Sequence, residues 1–592
     1  MSPVVNPTRL SFFQESIWFF RLLDPAMGSF NVGRAWILKG AIDPIALQHA
    51  LDLVAARHDI LRSQVVVDGG FSCMATVPGR RLACQVTNFS EEDRGVASNR
   101  ALTFLQGEFA RQFDFKTDPL VRIHLALLSP DEGVLMIVKP HLITDDTSMS
   151  IFATELAKLY SAIRIGGDTS LPPPVQFATY AEWQRAFCYG PQVEEHLAFW
   201  RRLLTGAPVS MRLRGRGAVD APVANRYAGA EALFSISPDL LEDLNAMRGQ
   251  EGVTLYVVFL AAFAILLRQI CDQEDVVVGG LVANRVKPII RSMIGPLVNT
   301  FALRFRFAEI VTLRDVLVVA RNLITGAYRH SGLPFERIIE DLKAAQKLDP
   351  RFRLDAVFDY FASAPALPSF HGVDAMPLRI YRKRSQAGLT LKIWPEAQGM
   401  AIFLEYQSLQ FGEADIERVF VLYEAILRVI AKSPDAKLRS MNLPASPGDR
   451  PPKSTDVRDS VAAVSTSAAT PSSGVAPAAS LAAFDQIQRQ LTRIWAEVIG
   501  VDSIGPDDDF FRLGGHSLLA VQIVNRIGDE LGVEVSMELL LTDAVSVRAL
   551  SEYVLAAAGG KPLSSPDHQK VASAIDNPPR DILQDVSAGR AS

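Results

Sequence analysis

Apolar positions recur along the chain with two periods, and each period predicts its own kind of element. Val121, Ile123, Leu125 and Leu127 alternate with Arg122, His124 and Ala126, the period of two expected of a half-buried strand. A Ser-Pro-Asp-Glu-Gly turn leads into Val134–Val138 (VLMIV), apolar on both faces as a central strand is. Phe152, Leu156, Leu159, Tyr160 and Ile163 follow at helical spacing, which predicts a helix from about Ser148. The segment Pro140–Thr147 (PHLITDDT) is thereby held between a buried strand and a helix start, where polar groups are well placed for chemistry.

Further along, Ile487, Leu491, Ile494, Trp495 and Val498 form one stripe of an amphipathic helix. A turn-rich stretch, Gly500–Gly515, precedes a second helix from Ser517 that carries Leu518, Val521, Val524 and Ile527 inward. Shorter helices over Met537–Leu541 and Val547–Leu555, the latter capped by Ser546, complete a small bundle. Between Tyr423 and Phe484 no aromatic residue occurs, and Pro444–Ser480 is rich in Pro, Ser, Ala and Thr. Such a stretch buries too little apolar surface to offset its ordering entropy, so it reads as a disordered linker. As a flexible coil it would span about 33 Å. The polar stretch from Gly559 to Ser592 reads as a disordered tail, and no repeat of 20–50 residues stands out.

Composition narrows the classes. With 592 residues the chain holds several folding units, and a hydrophobic fraction of 48% with 32 Phe supports large cores. Sixty Lys and Arg against 65 Asp and Glu give a net charge of −5, which excludes the basic character of a dedicated nucleic-acid binder. The longest apolar run, Leu255–Leu267, is 13 residues, short of the roughly 20 of a membrane span. Arg9 and Glu15 precede any long apolar stretch, so no signal peptide is expected; neither membrane nor nucleic acid is an expected partner. Four cysteines (Cys73, Cys84, Cys188 and Cys271) without a C-x-x-C pair argue against disulfide scaffolding and thiolate metal sites, and fit the cytoplasm. No G-x-x-x-x-G-K-[ST], G-x-S-x-G or H-E-x-x-H pattern occurs, and no metal site is expected.

Two constellations carry candidate chemistry. In Asp507–Leu518 (DDDFFRLGGHSL), Gly514 and Gly515 permit a tight turn that places Ser517 at a helix N-terminus, where free N–H groups favour a phosphate. This run resembles the thiolation (peptidyl carrier) domain of nonribosomal peptide synthetases over residues 482–558. The resemblance implies that Ser517 receives a covalent 4′-phosphopantetheine arm from a separate phosphopantetheinyl transferase, and His516 points to a peptidyl rather than an acyl carrier. The second constellation, His141-Leu-Ile-Thr-Asp145, resembles the HHxxxDG signature of condensation domains in the chloramphenicol acetyltransferase-like superfamily. Leu10–Trp18 (LSFFQESIW), Arg57–Ser63 (RHDILRS), Tyr180–Arg185 (YAEWQR), Val282–Arg285 (VANR), Ile294–Thr300 (IGPLVNT) and His330–Glu336 (HSGLPFE) match the same family in order.

That resemblance implies an α/β fold. Two chloramphenicol acetyltransferase-like lobes form a V (1–175 and 176–443), followed by a linker (444–481), a four-helix carrier (482–558) and a tail (559–592). It implies that His141 positions or deprotonates an amine attacking a carrier-bound acyl thioester, and that Asp145 pairs with Arg285 to hold the loop. Two positions depart from the signature: Pro140 replaces its first histidine and Asp146 its glycine. Pro140 cannot hydrogen bond through a side chain; Asp146 brings a carboxylate that either raises the basicity of His141 or narrows the tunnel that the resemblance implies between the lobes. The DxxxxDxxS pattern of cyclisation domains fits Asp145 and Ser148 but not Pro140. An adenylation domain has no room between the two modules. The chain is therefore expected to work in trans, with an upstream carrier protein or polyketide or peptide synthase as donor and a trans-acting loading enzyme. Amide formation, ester formation with an alcohol, and a non-catalytic scaffold beside a working carrier all stay open at this point.

Overall fold

The computed structural model describes residues 4–23, 30–91, 93–213, 227–285, 287–361, 366–380, 384–396, 399–441, 443, 478–501, 503–508, 510, 513, 517–533, 535, 539–540 and 546–557. The chain folds as two compact units.

The first half of the larger unit runs β1 (Val5–Arg9), α1 (Phe12–Leu23), β2 (Asn31–Lys39), α2 (Pro44–Arg57), β3 (Ser63–Asp68), β4 (Phe71–Thr76), β5 (Cys84–Asn88), α3 (Arg94–Ala110), β6 (Arg122–Ser129), β7 (Glu132–Pro140) and α4 (Asp146–Ile165). Its second half runs α5 (Phe177–Cys188), α6 (Val193–Leu204), β8 (Gly229–Ile236), α7 (Pro238–Glu251), α8 (Leu255–Cys271), β9 (Asp275–Val282), β10 (Asn299–Arg306), α9 (Leu313–Arg329), α10 (Phe335–Ala344), β11 (Ala356–Tyr360), β12 (Asp374–Leu378), β13 (Leu389–Glu396), β14 (Gly399–Gln407) and α11 (Glu413–Lys432).

Two sheets organise these elements, in the orders β12-β2-β7-β6-β5 and β10-β9-β11-β13-β14-β8, with a small β1-β4-β3 sheet beside them. β7, the apolar VLMIV strand, lies mid-sheet between β2 and β6 and is buried from Gly133 to Pro140. β6, expected to be half-buried, is buried on both faces from Arg122 to Ala126. The cause is α3, which covers its polar side: the His124 ring stands edge-on to Phe104 of α3 with ring centroids 5.5 Å apart. β12 comes from the stretch expected to lie wholly in the second lobe, yet it pairs antiparallel with β2 and closes the edge of the first sheet. In the second sheet α8 is buried nearly throughout, as a helix apolar all round must be, with α7, α9 and α11 around it.

The smaller unit contains α12 (Ala478–Ile499), α13 (Ser517–Leu531) and α14 (Val547–Ala557). α12 starts before the expected linker end at residue 481, because Ala-Ala-Ser-Leu-Ala-Ala is strong helix-forming sequence continuous with the amphipathic stripe. The rest of the expected linker, the tail after residue 558 and most of the Met537–Leu541 helix lie outside the described residues. On α13 Ala520, Ile523, Ile527 and Leu531 are buried; of the expected set Ile527 is buried and Val524 only half-buried, while the side chains of Leu518 and Val521 lie outside the described residues. Ile523, Ile527 and Leu531 repeat every four residues, which continues the apolar stripe to the end of the helix. Ser546 caps α14, its Oγ accepting from Ala549 N at 3.3 Å.

Among the described residues no single helix is long and apolar enough to cross a membrane. α7 and α8 reach that length only together, and they are bent by 105° at their break.

Candidate active site

β7 ends at Pro140, which sits opposite Asn31 of β2. A strand end tolerates the missing N–H, and the Pro140 carbonyl accepts from Ile143 N at 3.0 Å, turning the chain. α4 begins at Asp146, two residues earlier than the apolar spacing indicates, because the Asp145 side chain caps it by accepting from Ser148 N at 2.7 Å. The loop between strand and helix is therefore only five residues, His141 to Asp145. It is anchored from three sides. His141 N donates to Phe30 O at 2.6 Å, Gln14 Nε2 donates to Leu142 O at 2.9 Å, and Leu142 and Ile143 are completely buried.

The orientation of His141 follows from one contact. Its Nδ1 lies 2.7 Å from the carbonyl oxygen of Thr144. A carbonyl only accepts, so Nδ1 carries the hydrogen, and in the neutral ring Nε2 holds the lone pair. The ring is also fixed laterally by Phe13, edge-on with centroids 5.0 Å apart. The result is a half-buried imidazole whose basic nitrogen is specified by the backbone four positions into the signature.

Asp145 and Arg285 meet across the two halves of the unit, with Arg285 Nη2 at 3.0 and 3.2 Å from the two carboxylate oxygens. Both side chains are nearly inaccessible, Arg285 at 7% and Asp145 at 4% exposure, which makes their mutual satisfaction decisive. Asp145 Oδ2 further accepts from Leu297 N at 3.0 Å and Val298 N at 3.1 Å. Arg285 donates to Met293 O at 2.7 Å and Ile290 O at 3.1 Å. Ser148 completes the knot: its Oγ lies 2.7 Å from Gly295 O, and Arg285 Nη2 donates to it at 2.7 Å. Gly295 is required there, since a Cβ would fall 2.0 Å from Phe177 and its φ is +157°. The His141–Asp145 loop is thus tied to the IGPLVNT segment by a buried network around Asp145.

Asp146, in contrast, is the first residue of α4, and its side chain is 54% exposed. Arg34 of β2 donates to its carbonyl at 3.2 Å and to Ser150 Oγ at 2.8 Å, with Arg34 Nη2 3.8 Å from the Asp146 carboxylate.

Lys139 is a site neighbour that the motif match does not single out. Strand alternation puts it on the face of β7 that α4 covers, where Nζ lies 4.3 Å from the centre of the Phe152 ring. It is completely buried, and among the described residues Nζ has no hydrogen-bond partner. Burial, aided by Arg34 and opposed by Asp145, pulls this amine down to about 7. Its sequence signal is a lysine breaking an otherwise apolar strand immediately before Pro140-His141.

Ser517 is the first residue of α13. Gly514, Gly515 and His516 lie outside the described residues. The first residue of a 15-residue helix stands where unpaired N–H groups and the positive dipole end favour a phosphodiester, so the position fits a phosphopantetheine arm. Among the described residues no group of three or more His, Cys, Asp or Glu could hold a metal ion.

Comparison with known proteins adds the lineage. The sequence pattern of the family described as Condensation domain matches residues 6–450, and that of Phosphopantetheine attachment site matches residues 489–554. Malpinin synthetase of Mortierella alpina is 30% identical over 416 residues, covering 70% of this chain and 5% of its own length. A linear gramicidin synthase of Brevibacillus parabrevis is 30% identical over 448 residues, covering 74% and 6%. The chain thus spans a small part of the relatives it matches. Among solved structures, a four-domain nonribosomal peptide synthetase bound to AMP and glycine aligns with a TM-score of 0.65 at 20% identity, covering 74% of this chain and 34% of that one. The X-domain from teicoplanin biosynthesis aligns with a TM-score of 0.64 at 22% identity, covering 74% and 99%. The fold is accordingly that of the chloramphenicol acetyltransferase-like condensation domains. With three quarters of its length matched by that family and a carrier region carrying the attachment site for covalent 4′-phosphopantetheine behind it, the chain belongs to the condensation domain family of nonribosomal peptide synthetases.

Proposed function

We propose that this protein is an acyltransferase that joins a carrier-bound acyl group to an amine, forming an amide. The observation that carries the reading is the His141 Nδ1 contact with the Thr144 carbonyl at 2.7 Å, which leaves Nε2 as the basic nitrogen. A neutral imidazole so oriented holds the attacking amine by accepting a hydrogen bond and takes its proton as the nitrogen bonds to the thioester carbon. The imidazolium returns that proton to the departing thiolate. Asp145 and Arg285 do no chemistry; they fix the loop from which His141 projects. Pro140 ends the strand, so the work falls to one histidine.

Ser517 is proposed as the attachment point of the arm, which when bound supplies a thiol that carries the acyl or aminoacyl substrate. The matched regions end at residue 450 and resume at 489, too little chain for an adenylation domain between them. Loading then falls to an adenylating domain outside these two regions, and the acyl donor to another carrier domain. A phosphopantetheinyl transferase is the remaining partner.

The test loads the protein with a phosphopantetheinyl transferase and coenzyme A, then supplies acylated donor carriers with amine or alcohol acceptors. Mass spectrometry should find amide product, and Ser517→Ala should gain no arm. Ester product alone, or an arm on Ser517→Ala, would overturn the respective assignment.

A further inference from the structure

The segments LSFFQESIW, YAEWQR and VANR, far apart in the chain, meet in one buried series of hydrogen bonds. It starts at the His141 loop, where Gln14 Nε2 of α1 donates to Leu142 O at 2.9 Å. Through Oε1 the same amide accepts from Ser11 N at 3.1 Å. One residue on, Phe12 N donates to Gln184 Oε1 of α5 at 3.2 Å. Gln184 Nε2 donates to the Tyr180 hydroxyl, one helical turn earlier, at 3.2 Å, and Asn284 Nδ2 donates to the same oxygen at 3.1 Å. Asn284 directly precedes Arg285, the partner of Asp145. Gln14, Gln184 and Tyr180 are 1%, 6% and 4% exposed, so solvent does not make good a bond lost among them.

The series grips the His141–Asp145 loop at both ends. Leu142 is held by Gln14 and Asp145 by Arg285, and Tyr180 joins the two grips. The same turn of α1 carries Phe13, whose ring stands edge-on to the His141 imidazole. The seat of α1 against α5 therefore sets both the height of the loop and the lateral stop of the ring. We propose that Tyr180 and Gln184 are positioning residues for the base, acting on His141 through Gln14 and Phe13. This rests on the reading of His141 as the base and deepens it. Tyr180→Phe isolates the effect: the ring keeps its packing on Phe177 and Trp183, at 5.5 and 5.8 Å between centroids, while Gln184 and Asn284 each lose their acceptor.

The experiment is a mutant cycle on the full-length protein: wild type, Tyr180→Phe, His141→Ala and the double variant, each read by single-turnover acyl transfer and by thermal midpoint. In the wild-type background Tyr180→Phe should lower the rate about tenfold, the scale of one hydrogen bond. The acceptor concentration at half-maximal rate should stay unchanged, since the residue acts on the base and not on the substrate. In the His141→Ala background the same change should lower the rate no further, because no ring is left to position. Its effect on the thermal midpoint should be equal in both backgrounds. Gln184→Met, which keeps the side-chain length and removes the amide, is run in the same cycle with the same expectation, so either variant decides. A wild-type rate in both variants, or an equal loss of rate with and without His141, overturns the inference and leaves the series a structural one. Full turnover by His141→Ala would instead overturn the base reading, and this inference with it, so the two failures are told apart.

Discussion

At the residue scale the site is defined by groups that are paired and one that is not. Asp145 and Arg285 satisfy each other and the surrounding backbone within a nearly dry interface. Removing either strands a buried charge, so Asp145→Ala and Arg285→Ala should each lose roughly 3–5 kcal/mol in urea unfolding. An Arg285→Ala variant of wild-type stability would show that the pair holds nothing. Lys139 is the unpaired group, an amine buried against Phe152 and pulled down to about 7. The unfolded chain keeps an ordinary lysine near 10.4, so between about pH 7 and 10 it binds a proton the folded protein lacks. The penalty is therefore full below about pH 7 and relieved as pH rises. Lys139→Met should raise the thermal midpoint at pH 7 and flatten the rise of stability toward pH 10. An unchanged profile would mean that Lys139 is solvated.

At the scale of elements, much of the site is legible from spacing. The VLMIV strand and the apolar helix after it bracket the loop, and the distance between them leaves room for little else. Apolar periodicity places the start of α4 two residues late because it does not see a cap, and it is the Asp145 side chain that opens the helix. The burial of β6 on both faces is hidden in the sequence because Arg122 and His124 read as solvent-facing. They are covered by the element just before them, His124 by Phe104 of α3 and Arg122 by Phe113 in the segment that follows α3. The IGPLVNT segment is held close by Gly295, where a methyl group would collide with Phe177 and the backbone is left-handed. Gly295→Ala should cost roughly 1–3 kcal/mol and lower activity with it, as overpacking at a buried loop does. Unchanged stability in a melting experiment would place the segment away from Phe177.

At the scale of the whole molecule, the order of regions says more than any single element. A condensation family match from residue 6 to 450 is followed by a phosphopantetheine attachment region from 489 to 554. A condensation-family region and a carrier region are thereby joined in one chain. The two halves of the larger region are joined at β12, which pairs with β2 of the first sheet, and at Arg285, which reaches Asp145 of the His141 loop. A change at either contact should therefore be felt as loss of both stability and rate, whereas a change at the base itself should be felt as rate alone. That separation rests on His141, whose Nδ1 is held by Thr144 and whose ring is flanked by Phe13. The most direct test is the single-turnover rate of acyl transfer by His141→Ala, measured by intact mass of the acceptor, beside its melting curve. The account predicts a rate about 10²–10⁴-fold lower with an unchanged thermal midpoint; wild-type turnover by the alanine variant would contradict it.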